Sequence, residues 1–328
     1  GDLNGDGFDD VVIGDPGYDL GLGRAYVFYG AGGGISASVA ADADATYTGG
    51  TTSALGKSVA SAGDLNADGY DDVVVGAYGY EEFRGRAFVF TGGPDGVAAS
   101  ALDEADQVWL GQNASDAFGG AVAGAGDPNG DGYADLVIGA YPYQDVKGRV
   151  YLFLGGADGS MATDVSAADG LIDGEIEHGK LGRAVANAGD LDGDGRSDLV
   201  IGAPGDEYED TTGYAYIFNG DAALGEHVAS DADNTVVGAS YLDEFGLAVS
   251  SGGDVNGDGY DEVLVAASSR DRSHGRVYLF QGSATGIYAI YATEAETTFT
   301  GDDVSDRFGI SVASAGDVNG DGDEDLGR

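Results

Sequence analysis

A nine-residue acidic stretch recurs six times at nearly constant spacing, and this repetition constrains the fold more than any other feature of the chain. Its copies begin at Asp2, Asp64, Asp127, Asp190, Asp254 and Asp317, so successive steps are 62, 63, 63, 64 and 63 residues. Such a period is typical of arrays in which each repeat is one supersecondary unit that packs on its neighbours. We therefore predict a single repetitive domain over residues 1–328, with repeats that begin near 1, 55, 118, 181, 245 and 308.

Oxygen-bearing side chains occupy positions 1, 3, 5 and 9 of each stretch. In the second copy they are Asp64, Asn66, Asp68 and Asp72, and Gly69 at position 6 permits a sharp turn. Carboxylate and amide oxygens at alternate positions, together with a backbone carbonyl from position 7, suit Ca2+. Two carboxylates about 4 Å apart repel by roughly 4 kcal/mol at an effective dielectric of about 20, so a bound cation would relieve this repulsion. The sequence predicts a calcium loop.

The predicted ligands are of the same kind in all six copies. Isolated Asp-Asn-Gly clusters also form ordinary turns, but six copies in fixed register favour metal binding. The side-chain ligands are Asp2, Asn4, Asp6 and Asp10; Asp64, Asn66, Asp68 and Asp72; Asp127, Asn129, Asp131 and Asp135; Asp190, Asp192, Asp194 and Asp198; Asp254, Asn256, Asp258 and Glu262; and Asp317, Asn319, Asp321 and Asp325. The predicted carbonyl ligands are Tyr70, Tyr133, Arg196 and Tyr260.

The segment after each loop has the pattern of a strand and not of a helix. Position 12, where an EF-hand has Glu, is Val75 in the second copy and lies in a β-branched run. The third copy shows the whole unit, with strands predicted at 118–126, 136–140, 148–155 and near 170–174. Four strands in about 63 residues predict an all-β fold, in which each repeat is one blade of a β-propeller.

Composition and motifs exclude several classes of function. The formal net charge of −44 argues against nucleic acid and anionic membranes as partners. The absence of cysteine excludes disulfides and thiol catalysis, and no apolar run is long enough for a transmembrane helix. His178, His227 and His274 fall at unrelated positions of the repeat, and no catalytic motif accompanies them. We predict no enzymatic activity and no direct membrane insertion.

Two short motifs flank the loops and identify a family resemblance. Phe118-Gly119 before a loop and Gly202-Ala203-Pro204 after one resemble the FG-GAP repeat of the integrin α-chain β-propeller, and the resemblance covers the whole chain. It implies a seven-bladed ring with Ca2+ in the hairpin between the first two strands of a blade. At this period the chain holds four full blades and two partial ones, so we predict a fragment of the ring. Closure as five blades is the rival, but it duplicates a calcium loop at the seam.

The resemblance also implies a function. We expect a calcium-binding extracellular or cell-surface module that acts in adhesion or binds a protein or glycan. One alternative is the accessory propeller of a secreted, phospholipase-like hydrolase whose catalytic domain lies outside this chain, and another is a purely structural array.

Strand direction places the partner on the face opposite the calcium loops. Tyrosine and arginine are favoured in interfaces, although tyrosine also pads glycine-rich turns. The turn residues predicted on that face are Tyr18, Tyr78, Tyr80, Glu81, Glu82, Phe83, Tyr141, Tyr143, Asp145, Glu207, Tyr208, Arg270, Asp271 and Arg272.

Overall fold

The computed structural model describes most of the chain, and its contacts fall into two compact units. The described residues are 1–50, 52–97, 101–157, 159, 161–205, 212–241, 243–269, 274–303, 306–316 and 324, with the backbone alone at 145, 221 and 222. Unit 1 comprises residues 1–124, 132–140 and 151–169, and unit 2 comprises residues 125–131, 141–150 and 170–328. Most strands in both units pair in an antiparallel arrangement with a neighbour along the chain.

Unit 1 contains a three-stranded and a four-stranded antiparallel sheet. The three-stranded sheet consists of β1 (Val11–Asp15), β2 (Arg24–Phe28) and β3 (Ala45–Thr48). The four-stranded sheet consists of β4 (Val59–Gly63), β5 (Asp72–Ala77), β6 (Arg86–Phe90) and β7 (Gln107–Leu110). The prediction that residues 10–50 form only strands two to four of a blade is confirmed. Because β1 has no neighbour on its outer edge, Val11 and Ile13 are 40% and 49% exposed, whereas β5 is buried throughout.

The third repeat contributes segments to both units. Its strands are β8 (Ala121–Gly126), β9 (Asp135–Ala140), β10 (Arg149–Phe153) and β11 (Gly170–Asp173). All four lie inside the ranges predicted from the sequence or within one residue of them. The first begins later than predicted, because Phe118 and Gly119 form the approach to the strand.

Unit 2 contains two further four-stranded antiparallel sheets. The first comprises β12 (Ala184–Gly189), β13 (Asp198–Ala203), β14 (Thr212–Phe218) and β16 (Asn234–Tyr241). The second comprises β17 (Phe245–Gly253), β18 (Glu262–Ala267), β19 (Arg276–Phe280) and β20 (Thr297–Thr300). An unpredicted strand, β15 (Gly225–Val228), pairs in parallel with β11, so the long loop of the fourth repeat adds a strand to the third.

Helical structure is limited to single turns. Three four-residue helices join the second and third strands of a repeat: α1 (Tyr18–Gly21), α2 (Tyr80–Phe83) and α3 (Tyr143–Val146). The 3-10 helices are Ala40–Asp42, Leu102–Glu104, Val165–Ala167, Gly220–Ala223, Ala229–Asp231 and Ala292–Glu294. Across the described residues, no helix combines the length and apolarity needed to cross a membrane.

Aromatic side chains of the third strands fill the cores, as the alternating pattern predicts. In unit 1, the Tyr47 and Phe90 rings stack with centroids 3.9 Å apart, which joins the first two sheets. In unit 2, Phe245 packs edge-on against Tyr278 and Phe280, inside a cluster shared by the fourth and fifth repeats. The single tryptophan, Trp109, is fully buried. Packing between sheets thus accounts for the aromatic residues, as expected for neighbouring blades.

The predicted first strand at 308–316 is not formed. Phe308 makes one bridge to Gly275, and the residues that follow are irregular. In the earlier repeats this strand pairs with the strand after the calcium loop, as β4 pairs with β5. The residues that would form the corresponding partner strand in this repeat lie outside the described part of the chain.

Candidate metal centres

The position-1 aspartate of each of the five described loops accepts hydrogen bonds from the loop's own backbone. In the second loop, Asp64 Oδ1 accepts the Asp68 N–H at 3.1 Å and Asp64 Oδ2 accepts the Gly69 N–H at 2.8 Å. Position 6 is glycine because it takes a left-handed conformation there, with φ of +91° at Gly69. Asp2, Asp190 and Asp254 make the same pair of bonds.

The side chains at positions 3 and 5 also turn toward the loop. Asn66 Oδ1 accepts the Asp68 N–H at 2.8 Å, and Asp68 Oδ1 accepts the Tyr70 N–H at 3.1 Å. The equivalent position-3 bonds occur in the first, third and fourth loops. These side chains are therefore folded inward and do not extend into solvent.

The acid at position 9 is buried and links two segments of its repeat. Asp72 is fully buried, and its two oxygens accept the Leu65 N–H at 3.0 Å and the Gly92 N–H at 2.9 Å. Asp10 and Asp198 make the same two bonds in their repeats. This carboxylate therefore joins the loop to the residue that follows the third strand, a structural role that the ligand pattern did not indicate.

Burial is the main cause of the pKa shifts of these position-9 acids. Loss of solvent raises the pKa of Asp72 and of Asp198 to about 7, and it raises the pKa of Glu262 to about 7 as well. Hydrogen bonds from backbone N–H groups oppose the shift, and the nearby loop carboxylates add to it. An adjacent cation would favour the ionised form.

Two loops bring three carboxylates close enough to share one ion. In the fourth loop one oxygen each of Asp190, Asp192 and Asp194 lie within 4.8 Å of one another, and in the fifth the same holds for Asp254, Asp258 and Glu262. Oxygens that bind one Ca2+ at 2.3–2.6 Å can be at most about 5 Å apart. The donor set is oxygen only, which suits a hard cation. These residues fit Ca2+, which would neutralise the mutual repulsion of the carboxylates.

The fourth and fifth loops differ from the others in the residue at position 3 or position 9 and in the contacts which that side chain makes. Asp192 replaces the asparagine found at position 3 elsewhere, and its Oδ2 accepts the Asn219 Nδ2–H at 2.7 Å. Burial, and then the neighbouring Asp194, raise the pKa of Asp192. In the fifth loop the longer Glu262 accepts the Val255 N–H and the Asn256 amide, each at 2.7 Å.

All of the predicted calcium ligands stay predictions. Position 7 donates its N–H to the position-5 carboxylate in the second, fourth and fifth loops, and a carbonyl contribution from Tyr70, Tyr133, Arg196 or Tyr260 is untested. In the third loop Asp127 accepts the Asp131 N–H at 3.0 Å, and Asp135 accepts the Gly155 N–H at 2.8 Å. Asp317, Asn319, Asp321 and Asp325 lie outside the described residues.

Family models match the repeats that carry these loops. An FG-GAP repeat model matches residues 1–28, 56–90, 118–153 and 181–218, and an FG-GAP-like repeat model matches residues 254–327. Together these segments make up more than half of the chain. The chain belongs to the FG-GAP repeat family. Its all-β repeats are similar to those of the integrin α-chain β-propeller.

Similar curated proteins are integrin α chains. The chain is 32% identical to integrin alpha-4 of Xenopus laevis over 226 residues, which is 66% of this chain and 20% of that protein. It is 33% identical to integrin alpha-PS2 of Drosophila melanogaster over 58% of this chain and 13% of that protein. Integrin alpha pat-2 of Caenorhabditis elegans is 27% identical over 84% of this chain and 21% of its own length. The chain thus spans about a fifth or less of these relatives.

Position 8 of the FG-GAP loop is a functional position that the sequence pattern did not single out. Asp71 Oδ2 accepts the Asp2 N–H at 3.1 Å, and Asp261 Oδ2 accepts the Asp190 N–H at 2.7 Å. Each bond joins the loop of one repeat to the first ligand of the preceding repeat. The sequence does carry a signal for this contact, because position 8 is polar in five of the six copies. Ala134 is the exception.

The turns that join the second and third strands lie at the opposite strand ends from the calcium loops. They contain both packed and exposed side chains. The rings of Tyr18, Tyr80 and Tyr143 lie under the guanidinium groups of Arg24, Arg86 and Arg149, at 3.5, 3.8 and 4.2 Å. Tyr143 is only 6% exposed. These predicted ligand-face tyrosines are therefore at least partly structural.

The exposed tips are different residues. Leu20 is 97% exposed and Phe83 is 53% exposed, and both have left-handed backbone with φ of +60° and +63°. Glu81 and Glu82 are also exposed, and Tyr78 packs against Phe83 with ring centroids 5.7 Å apart. We call Leu20, Tyr78, Glu81, Glu82 and Phe83 the turn surface of unit 1. Glu207, Tyr208, Arg270, Asp271, Arg272 and the side chain of Asp145 lie outside the described part of the chain.

Proposed function

We propose that the chain is a calcium-stabilised, non-catalytic propeller segment of an extracellular or cell-surface protein, and that it binds a protein or glycan partner in adhesion. The observation that carries the proposal is the inward orientation of the ligand oxygens in the described loops. Three carboxylates within 4.8 Å in each of the fourth and fifth loops support it most directly. The similarity to integrin α chains supports the adhesive role.

Calcium would act by holding the hairpins shut. The residues that would hold it are those at positions 1, 3, 5 and 9, and the ion would supply positive charge among them. With millimolar calcium outside cells, sites of modest affinity would be filled. A ligand that binds only the folded state stabilises it by mass action, by roughly 2.7 kcal/mol per site at a hundredfold excess over Kd. Calcium ions would then supply the stabilisation that disulfides provide in other extracellular proteins.

The turn surface of unit 1 is the proposed partner site. It combines exposed apolar tips with two exposed carboxylates, and Leu20, Glu81, Glu82 and Phe83 have the strained left-handed backbone that such sites often hold. The tyrosines under arginine belong to the scaffold, so the exposed tips would provide the contact area. This surface lies at the strand ends opposite the calcium loops.

A calcium titration followed by chelation tests the first part of the proposal. We expect the melting temperature of the full chain to rise by many degrees with Ca2+ and to fall again with EGTA. Asp190→Asn combined with Asp194→Asn should reduce the number of bound ions, whereas Asp103→Asn, an exposed acid outside the loops, should not. Equal melting curves with calcium and with EGTA would contradict the assignment.

Cell attachment to a surface coated with the chain tests the second part. We expect attachment in calcium, loss of attachment in EGTA, and loss in the variant Leu20→Ser with Phe83→Ser. The variant should keep the calcium-dependent rise in melting temperature. Undiminished attachment of this variant would exclude the turn surface, while leaving the calcium proposal intact.

A further inference from the structure

A cleft in unit 1 lies beside β6, away from the calcium loops. Its volume is about 320 Å³, which is enough for a ligand the size of one or two amino acids. Apolar side chains dominate its lining, with Ala77 from β5, Phe88 from β6, and Leu102 and Val108 from the segment that follows. The polar residues of the lining are Ser53, Tyr80, Arg86 and Asp103.

Arg86 differs from Arg24 and Arg149, its equivalents in the first and third repeats, in the hydrogen bonds that its guanidinium makes. In the first repeat Arg24 lies opposite Thr48, and Arg24 Nε donates to Thr48 Oγ1 at 3.0 Å. In the third repeat Arg149 donates to both oxygens of Asp173, with Nη2 to Oδ2 at 2.7 Å. Arg86 lies opposite Leu110, whose side chain has no acceptor. In the described residues, Arg86 Nε is buried and has no hydrogen-bond partner.

An unmet donor of this kind is costly unless something else accepts from it. A buried charged group without a partner loses the hydration it had in water and gains little in return. The Tyr80 ring, 3.8 Å from Arg86 Cζ, covers one side of the guanidinium by a cation–π contact. A carboxylate in the cleft would accept hydrogen bonds from the guanidinium that lines it.

The fourth repeat shows that the cleft is not a general feature of the fold. There Tyr214 replaces Arg86 and Tyr216 replaces Phe88 at the equivalent strand positions. The corresponding space in unit 2 is about 10 Å³, and Ile176 and Tyr216 are among the residues around it. The fourth repeat thus has neither the arginine nor an open cleft of this size.

We propose that this cleft binds a monocarboxylate with an apolar body, of the kind presented by the free C-terminus of a peptide that ends in an aliphatic residue. The carboxylate accepts hydrogen bonds from Arg86, and the apolar body packs on Phe88, Leu102 and Val108. Arg86 is the single cation among the described lining residues, and Asp103 lies at the rim, so a monoanion is favoured over a phosphate dianion. The site is independent of the calcium loops, although it would supply a ligand class for the proposed binding function.

Titration of N-acetyl-L-leucine into the full chain, in buffer with calcium and followed by NMR, tests the proposal. We expect saturable binding, with Kd at least about tenfold weaker for N-acetyl-L-leucinamide, which lacks the carboxylate. Absence of saturable binding, or equal binding of the amide, would overturn the proposal.

Three variants locate the site. Arg86→Gln should weaken binding at least about tenfold, whereas Arg24→Gln, at the same position of the first repeat, should leave it unchanged. Leu110→Asp should abolish binding, because it gives Arg86 the internal partner that Asp173 gives Arg149. Equal effects of Arg86→Gln and Arg24→Gln would overturn the assignment. The calcium-dependent melting temperature of each variant reports folding and calcium binding separately.

Discussion

Asp71 accepts a hydrogen bond from the backbone N–H of Asp2 at 3.1 Å, across 69 residues of sequence. The Asp71 N–H in turn donates to the Asp2 carbonyl at 3.0 Å. The pair of bonds fixes the first ligand of one loop against the next repeat. Asp261 and Asp190 form the same arrangement in unit 2, with distances of 2.7 and 3.1 Å. Position 8 of one loop is thereby hydrogen-bonded to the backbone of position 1 in the preceding loop.

Removal of this link should weaken the first loop. For Asp71→Ala we expect a loss of about 1 kcal/mol in the free energy of unfolding, the value of one hydrogen bond, together with weaker calcium binding. Ala134 occupies the same position in the third repeat, so the fold accepts this residue there. Denaturant unfolding and calcium titration measure the two effects. The control is Asp9→Ala, at position 8 of the first loop, where the carboxylate is 89% exposed. Equal effects of the two variants would contradict the role of the link.

The fourth position of the second loop should accept glycine with a gain in stability. Ala67 has φ of +54°, whereas Gly5, Gly130, Gly193 and Gly257 hold this position elsewhere with φ between +71° and +74°. A side chain in the left-handed region costs 1–2 kcal/mol, and glycine costs about half of that in the unfolded chain. We expect Ala67→Gly to raise the free energy of unfolding by roughly 0.5–1 kcal/mol in denaturant titrations.

The reverse change gives the matched control. Gly5→Ala should be destabilising, because a Cβ at residue 5 would stand 2.6 Å from the Tyr70 ring in addition to its backbone strain. A loss of stability in Ala67→Gly would show that the Ala67 methyl group makes a packing contribution larger than its strain.

Chelated protein should become more stable as the pH falls through neutrality. The pKa of Asp72 and of Asp198 is raised from 3.8 to about 7 in the folded chain. For acids with a raised pKa, the folded state binds more protons than the unfolded state between the two values. Stability is therefore greatest near the unfolded pKa and declines as the pH rises to about 7.

Melting curves in EGTA between about pH 8 and about pH 5.5 measure this dependence. Calcium should reverse the trend, because protonation of the loop carboxylates competes with the ion. Asp103→Asn should leave the pH dependence unchanged. A chelated protein whose melting temperature falls steadily with acidification over this range would contradict the assignment of raised pKa values.

Replacement of turn tyrosines by serine should cost very different amounts of stability at buried and at half-buried positions. Tyr143 is buried beneath Arg149, so Tyr143→Ser should cost roughly 3 kcal/mol, as for other buried aromatic side chains. Tyr78 is half-buried at a turn tip, and Tyr78→Ser should cost about 1 kcal/mol or less. Thermal unfolding of the two variants in calcium checks the difference. Comparable losses would show that Tyr78 also belongs to the scaffold.

Much of the local structure was predictable from residue spacing. The six acidic stretches predicted hairpin loops, and the described ones have their position-1 side chains turned inward as expected. The β-branched runs predicted the second strands, and β5, β9, β13 and β18 are buried throughout. Local hydrogen bonds within nine residues create the loop, so a single repeat contains the information that determines it.

Other features depend on contacts between separate segments of one repeat or between one repeat and the next. The sequence did not indicate that Asp72 joins its loop to Gly92, that Asp71 supports Asp2, or that Leu110 leaves Arg86 without a hydrogen-bond acceptor. Nor did it distinguish Tyr143, covered by Arg149, from the exposed tip at Phe83.

The sequence by itself determined the repeat, the all-β strands and the chemistry of the loops, because these depend on residues a few positions apart. The tertiary structure decided which carboxylates are buried, which loops are connected and where a cleft remains. Those properties depend on contacts between residues that are distant along the chain, within one repeat or in neighbouring repeats, and the geometry of such contacts follows from how strands and sheets pack rather than from local spacing.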